Sequence, residues 1–234
     1  MKEKKITMTI LSAVFCCLCL IQTACTGNPK RTITASEPLL SSSVEKHALY
    51  STALEQDVPF LIYLPKGYGD GTEYPVWYGL HSFGANQTMW PDNGITELAD
   101  VLAADNKIKP LIMVFPLVQD ATAVEIREDL KDGKIDERKV DIFVSRELTD
   151  YIDQNYFTIR DRKARFIGGF SMGGMLALRI GLHHPDLFSK IGGYSPAVPS
   201  QDYSSTQLEK WLNPNEQTSD IKDIKQYAKK KGYT

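Results

Sequence analysis

Gly169-Phe170-Ser171-Met172-Gly173-Gly174 is the stretch whose reading decides the fold of this 234-residue chain. Ahead of it, Ala164-Arg165-Phe166-Ile167-Gly168 reads as a short buried strand; behind it, Met172 to Leu182 is apolar at helical spacing. A G-x-S-x-G between a strand and a helix is a nucleophile elbow, a sharp turn that lifts the serine hydroxyl clear of the strand tip. Small residues on either side let the backbone turn without a clash, and Gly173 and Gly174 let the helix pack closely on the strand. A bare G-x-S-x-G arises often by chance. Its place between strand and helix is what gives it weight here.

A serine hydroxyl is a poor nucleophile at neutral pH and needs an adjacent base, usually a histidine oriented by a carboxylate. In this kind of fold the order along the chain is Ser, then Asp or Glu, then His. Only His183 and His184 follow Ser171, and both fall on the helix that Ser171 starts. At a rise of roughly 1.5 Å per residue, His183 is about 18 Å away. Both read as helix C-terminal residues favoured by the dipole. His47 and His81 precede the motif, while Asp202, Asp220 and Asp223 fall on expected loop or helix and read as solvated surface. A nucleophile is visible without its base.

Working outward, Ala48–Leu54 and Pro59–Leu64 alternate as two strands joined by a turn, ending at Pro65-Lys66-Gly67. Tyr74 to Leu80 and Pro110 to Phe115 are near-continuous apolar runs, as buried parallel strands should be. Helices are expected over Asp92–Ala104, capped near Asp92 or Asn93, and over Val140–Tyr156. Val118 to Asp136 is polar and irregular, too long for a simple connection and suited to a site rim. A further strand is expected over Phe188–Tyr194, followed by Ser195-Pro196-Ala197 and helical segments around Thr206–Leu212 and Ser219–Lys231. Gly232 suits a helix terminator. Strands alternating with helices imply an α/β fold with a mostly parallel sheet covered on both faces.

Composition narrows the partners. The formal net charge is −2 and no basic cluster is interleaved with aromatics, which argues against nucleic acid. Lys229-Lys230-Lys231 reads as the solvated last turn of a helix. Residues 1–25 form a leader: Lys2, Lys4 and Lys5 precede an apolar run from Ile6 to Ile21 and a small-residue site at Thr23-Ala24. All four cysteines, Cys16, Cys17, Cys19 and Cys25, lie within it, so the globular part offers neither a disulfide framework nor a thiolate metal site. Residues 26–44 are polar, with Pro29, Pro38 and Ser41-Ser42-Ser43, and read as a tether to a domain over 45–234.

Gln22-Thr23-Ala24-Cys25 resembles a bacterial lipobox, which implies lipidation at Cys25 and a membrane anchor; simple secretion with cleavage nearby is the alternative. The domain, over Tyr50 to Ala197, resembles the putative-esterase branch of the α/β-hydrolases, the group of S-formylglutathione hydrolase, feruloyl esterases and the antigen 85 mycolyltransferases. The resemblance rests on Tyr63-Leu64-Pro65, on Tyr74-Pro75-Val76 leading to His81-Ser82-Phe83-Gly84, and on Trp90. It continues through Glu147-Leu148, Tyr151-Ile152 and Tyr156 to the elbow and His184-Pro185-Asp186-Leu187-Phe188.

That resemblance implies a three-layer sandwich, Ser171 as nucleophile, and an oxyanion hole from the backbone N–H groups of Phe83 and Met172. It implies no cofactor and no metal. Ser82 stands where the family commonly has glycine. In the family the acid and histidine lie beyond the Ser195-type segment, so the printed chain is expected to stop before the strand or strands that carry them. His81 is expected to serve structure. Met89 and Trp90 line an acyl pocket or pack a loop. The implied substrate is an acyl ester, free or on polysaccharide. Hydrolysis, acyl transfer and an inactive binding form all remain open.

Overall fold

The computed structural model describes residues 33–118, 139–197, 229, 232 and 233. The leader expected over residues 1–25, with Cys25, the rest of the polar stretch after Val118, the acids Asp202, Asp220 and Asp223, and the helices expected around 206–212 and over most of 219–231 lie outside those residues.

Strands β1 (Ser43–Ser51) and β2 (Gln56–Leu64) form an antiparallel hairpin, in register from Ser43 opposite Leu64 to Ser51 opposite Gln56. The hairpin is longer than the alternation in the sequence predicts, because backbone pairing extends through serines and charged residues that carry no apolar signal. β1 thus begins inside the 26–44 stretch. Ahead of it, Ser36 N–H bonds to Gly69 O and Leu39 N–H to Tyr68 O, both at 2.8 Å, so these residues lie on the domain.

β2 pairs antiparallel with β4 (Ile112–Pro116); β4, β3 (Val76–Leu80), β5 (Arg165–Phe170) and β6 (Lys190–Tyr194) then run parallel. The order is β1-β2-β4-β3-β5-β6. The period of two assigns the faces. Phe60, Ile62, Val76, Tyr78, Leu80, Ile112, Val114 and Ile167 are buried in the larger core, against the helices of 139–155 and the helix after Ser171. Leu61, Tyr63, Met113 and Phe115 turn the other way, onto Ala99. This is the expected α/β-hydrolase sandwich.

Two helices depart from expectation. The 92–104 segment is broken at Gly94, whose φ of 80° is left-handed and cannot continue a helix; α1 (Met89–Asp92) precedes it and α2 (Ile95–Ala104) follows. The 140–156 segment is helical but changes pitch: α3 (Lys139–Ile142), a π-helical turn (Phe143–Leu148), then α4 (Thr149–Asn155). Within it Thr149 Oγ1 donates to Val144 O at 2.8 Å, and Glu147 accepts Ser51 Oγ–H at 2.5 Å and Ala53 N–H at 3.0 Å. The π turn thereby clamps the hairpin. Behind the sheet, Arg165 at the start of β5 pairs with Asp153 at 2.5 Å, largely out of water.

Candidate active site

β5 runs into Ser171 and directly into α5 (Met172–His183). Ser171 sits at φ 55° and ψ −114°, a conformation that L-residues avoid at a cost of about 1–3 kcal/mol. The surroundings impose it. A Cβ at Gly169 would meet the Gly173 carbonyl at 2.3 Å, and one at Gly173 would meet Leu80 O at 2.4 Å and His81 O at 2.5 Å. Backbone bonds bracket the serine: its N–H donates to Tyr194 O at 2.9 Å, and its carbonyl accepts Ala197 N–H at 2.9 Å and Met175 N–H at 3.0 Å. The segment after β6 is therefore a buttress of the elbow. Nothing in the sequence marks it as one, because a backbone contact leaves no side-chain signature.

Met172 opens α5, where an N–H has no intrahelical acceptor and the helix dipole favours a developing negative charge. Phe83 lies in the loop after β3, in a turn closed by Ala85 N–H to Ser82 O at 3.1 Å. Gly84, at φ 77°, occupies the third position of that turn, where a type II turn needs glycine. The structure thus places Phe83 and Met172 on the two elements that converge at the elbow, β3's end and the start of α5.

All four histidines of the chain are described, and each is engaged. His81 is buried; Nδ1 lies 2.8 Å from Ser82 O, and Nε2 accepts Val118 N–H at 2.9 Å. Those partners assign the Nδ1–H tautomer. Burial pushes its pKa below the ordinary histidine value, outweighing the Ser82 contact. Both ring nitrogens of His81 are thus engaged away from Ser171. His47, stacked on Phe60 and 3.0 Å from Glu45, is on β1. Three strands separate β1 from β5, which puts it roughly 19 Å away.

His183 and His184 require a correction. They are not helix-end residues merely favoured by the dipole: His183 Nδ1 is 3.1 Å from Asp141 Oδ2, and His184 Nε2 is 2.5 Å from Asp141 Oδ1. Asp141 belongs to α3, and its carboxylate is nearly buried between the two rings. Burial alone would raise its pKa; the hydrogen bonds from His183 and His184 outweigh burial and hold it well below the usual carboxylate range. Burial pushes His183 down. A contact across 42 positions of sequence gives no local signal.

Around the elbow the surface is aromatic. Phe170, Tyr194 and Phe83 are 43%, 55% and 61% exposed, at the end of the sheet where Ser171 sits. Trp90 stands edge-on to Trp77 at 5.4 Å and to Tyr194 at 5.8 Å, and donates Nε1–H to Leu80 O at 3.1 Å. It packs the loop and also reaches the rim. Among the described residues no cluster of three or more His, Cys, Asp or Glu is arranged to hold a metal.

The same fold occurs in known proteins. A ferulic acid esterase superimposes with a TM-score of 0.59 at 25% identity, covering 75% of this chain and 67% of that one. A ferulic acid esterase from Anaeromyces mucronatus, in complex with ferulic acid, gives 0.58 at 26% identity, over 70% and 61% of the two chains. S-formylglutathione hydrolase of Staphylococcus aureus shares the fold, with a TM-score of 0.55 at 16% identity over 85% and 73%. In sequence, an endo-1,4-beta-xylanase/feruloyl esterase of Xylanibacter ruminicola is 38% identical over 140 residues, 56% of this chain and 18% of its own length. Endo-1,4-beta-xylanase Y of Acetivibrio thermocellus is 27% identical over 120 residues, 49% and 11% of the two lengths. The chain spans less than a fifth of either of these relatives. The family model described as Putative esterase matches residues 51–230, so this chain, with its strained serine between β5 and α5, belongs to that esterase family.

Proposed function

We propose that the chain is a serine carboxylic-ester hydrolase acting on an aromatic acyl ester of the hydroxycinnamoyl type. The observation that carries this is Ser171, held at φ 55° at the head of α5 beside exposed aromatic rings. Its Oγ attacks the ester carbonyl, and the Met172 and Phe83 N–H groups receive the oxyanion, each such donor being worth ~10²–10³ in rate. Collapse expels the alcohol and leaves an acyl-enzyme, which water cleaves to free acid and serine. Phe83, Phe170 and Tyr194 offer a flat apolar surface to an aromatic acyl group. The feruloyl esterase relatives support that class of acid, and the xylanase relatives a polysaccharide alcohol. With water replaced by a sugar hydroxyl the same site is an acyltransferase.

The proton acceptor for Ser171 is none of the four histidines, given their partners. The engagement of all four elsewhere supports a second reading, an esterase fold retained for binding. The reading also places the protein outside the cytoplasm, carried by the 1–25 leader and anchored through lipid on Cys25. Metabolic labelling with a palmitate analogue, lost in Cys25→Ala, tests the anchor.

Mass spectrometry of the protein after incubation with a fluorophosphonate tests the chemistry. A stoichiometric adduct on Ser171, lost in Ser171→Ala, together with ferulate release from a feruloyl ester, is the expected result. A folded sample that takes no label overturns the hydrolase in favour of the binding fold.

A further inference from the structure

We propose that Met89 is a positioning residue of the oxyanion loop. Its thioether holds Ser82 and so aims the Phe83 N–H. The inference rests on the reading of Phe83 as an oxyanion donor.

The argument begins with a peptide plane. Ser82 C=O and Phe83 N–H belong to one planar unit and point in opposite directions, so whatever fixes the carbonyl fixes the amide. The carbonyl is fixed twice, by His81 Nδ1–H at 2.8 Å and by Ala85 N–H at 3.1 Å. The remaining freedom of Ser82 is rotation about its own backbone bonds. Met89 removes it: the Sδ accepts both Ser82 N–H and Ser82 Oγ–H, each at 3.4 Å. A thioether is a weak acceptor, but two donors from one residue on one sulfur define an orientation that a single weak contact would not.

Met89 is itself firmly based. It opens α1, and the next residue, Trp90, bonds to Leu80 O at the end of β3 and packs against Trp77 and Tyr194. Ser82 N–H and Ser82 Oγ–H, two polar groups beside the oxyanion turn, thus find their acceptor on a helix anchored to the strand that the turn leaves. The hydroxyl that distinguishes this loop from a glycine-bearing one is the group that the sulfur engages. Misplacing a donor by an ångström costs up to 10²-fold in rate, so a weak contact has leverage here.

The sulfur also supplies a chemical probe. Met113, Met172 and Met175 are buried, whereas Met89 is partly exposed. Hydrogen peroxide therefore reaches Met89 first among these four: an S–O bond forms, the peroxide O–O bond breaks, and water leaves. The added oxygen has no room in a 3.4 Å contact, so the sulfoxide displaces Ser82.

The test uses the full-length chain as wild type, Met89→Leu, Ser82→Ala and the double variant. Two quantities are read: deuterium exchange of a peptide spanning residues 81–88, and the second-order rate of fluorophosphonate labelling at Ser171. Met89→Leu keeps the volume and removes the acceptor. It is expected to speed loop exchange and slow labelling, each about tenfold, with kcat for a small acetyl ester falling and KM held within twofold. Ser82→Ala should give a smaller effect that does not add to Met89→Leu, and peroxide should reproduce Met89→Leu in the wild type while adding nothing in the two variants that carry Met89→Leu. Exchange and labelling in Met89→Leu within twofold of wild type overturn the proposal. A wild type that takes no label sinks the hydrolase reading instead, and loop exchange then decides the role of Met89 by itself.

Discussion

Ser171 shows how much one residue can be asked to bear. Its φ of 55° is held by close backbone approaches at Gly169 and Gly173 and by bonds to Tyr194 and Ala197. Replacing it by glycine, which adopts that conformation freely, should stabilise the fold by about 1 kcal/mol while abolishing any label; urea unfolding measures the first and mass spectrometry the second. Gly173→Ala should do the reverse, since its methyl would stand 2.4 Å from Leu80 O: a loss of about 2–4 kcal/mol or failure to fold, read by thermal melting. His81 is engaged at both nitrogens. His81→Leu takes an acceptor from Val118 N–H and leaves the Ser82 carbonyl held by Ala85 N–H alone, so a destabilisation of about 1–3 kcal/mol is expected, together with slower labelling of Ser171. A normal labelling rate in a folded His81→Leu protein would contradict the part assigned to the Ser82 peptide.

At the scale of elements, the interesting join is the end of α5 against α3. His183 and His184 close on the Asp141 carboxylate there, and the pH dependence follows from the directions of the two shifts. His183 is pushed down by burial, so the unfolded chain takes its proton first; stability falls as pH drops through the ordinary histidine value of about 6.5. Asp141 is held below the usual carboxylate range despite burial, so it contributes stability above a pH of about 4 that is lost as acid protonates it in the folded state. Urea midpoints should therefore decline in two stages on acidification, the first near neutrality and the second below about pH 4. Asp141→Asn should shrink the lower stage and cost about 1–3 kcal/mol at pH 7. Asp70, held down by its Thr72 hydrogen bonds, also contributes to that stage. One smooth stage in the wild type would count against this assignment.

At the scale of the whole molecule, one residue close to the end of the printed chain ties distant elements together. Tyr233 OH lies 2.5 Å from Gly181 O and 2.9 Å from Phe188 O, its one hydrogen shared between the two carbonyls, and Arg162 lies 5.4 Å over its ring. It thus joins α5 to the approach to β6, the same two elements that bracket Ser171. Burial raises its pKa to about 12, so the hydroxyl stays protonated and able to donate across the neutral range. Tyr233→Phe should lower the urea midpoint by the equivalent of about 1–2 kcal/mol, with no change in the labelling rate of Ser171. A variant as stable as wild type would mean that the two carbonyls find water instead.

The sequence by itself determined what local chemistry can carry. The strand–serine–helix motif, the apolar runs of β3 and β4, the alternation along β2 and the glycines of the elbow all act through the residues beside them. A period of two or 3.6 and a glycine at a close approach are properties of adjacent positions. The helix break at Gly94 was within the same reach, though the apolar spacing on either side of it concealed it. What only the tertiary structure decided was partnership across the chain: Asp141 between two histidines, Met89 under Ser82, His81 on Val118, Tyr194 and Ala197 around Ser171. These contacts depend on which elements the sheet order places side by side. A hydrogen bond between residues that no repeat relates leaves no period in the sequence, whether the two lie 7 positions apart or 43, and three of these four involve a backbone group that any residue type supplies.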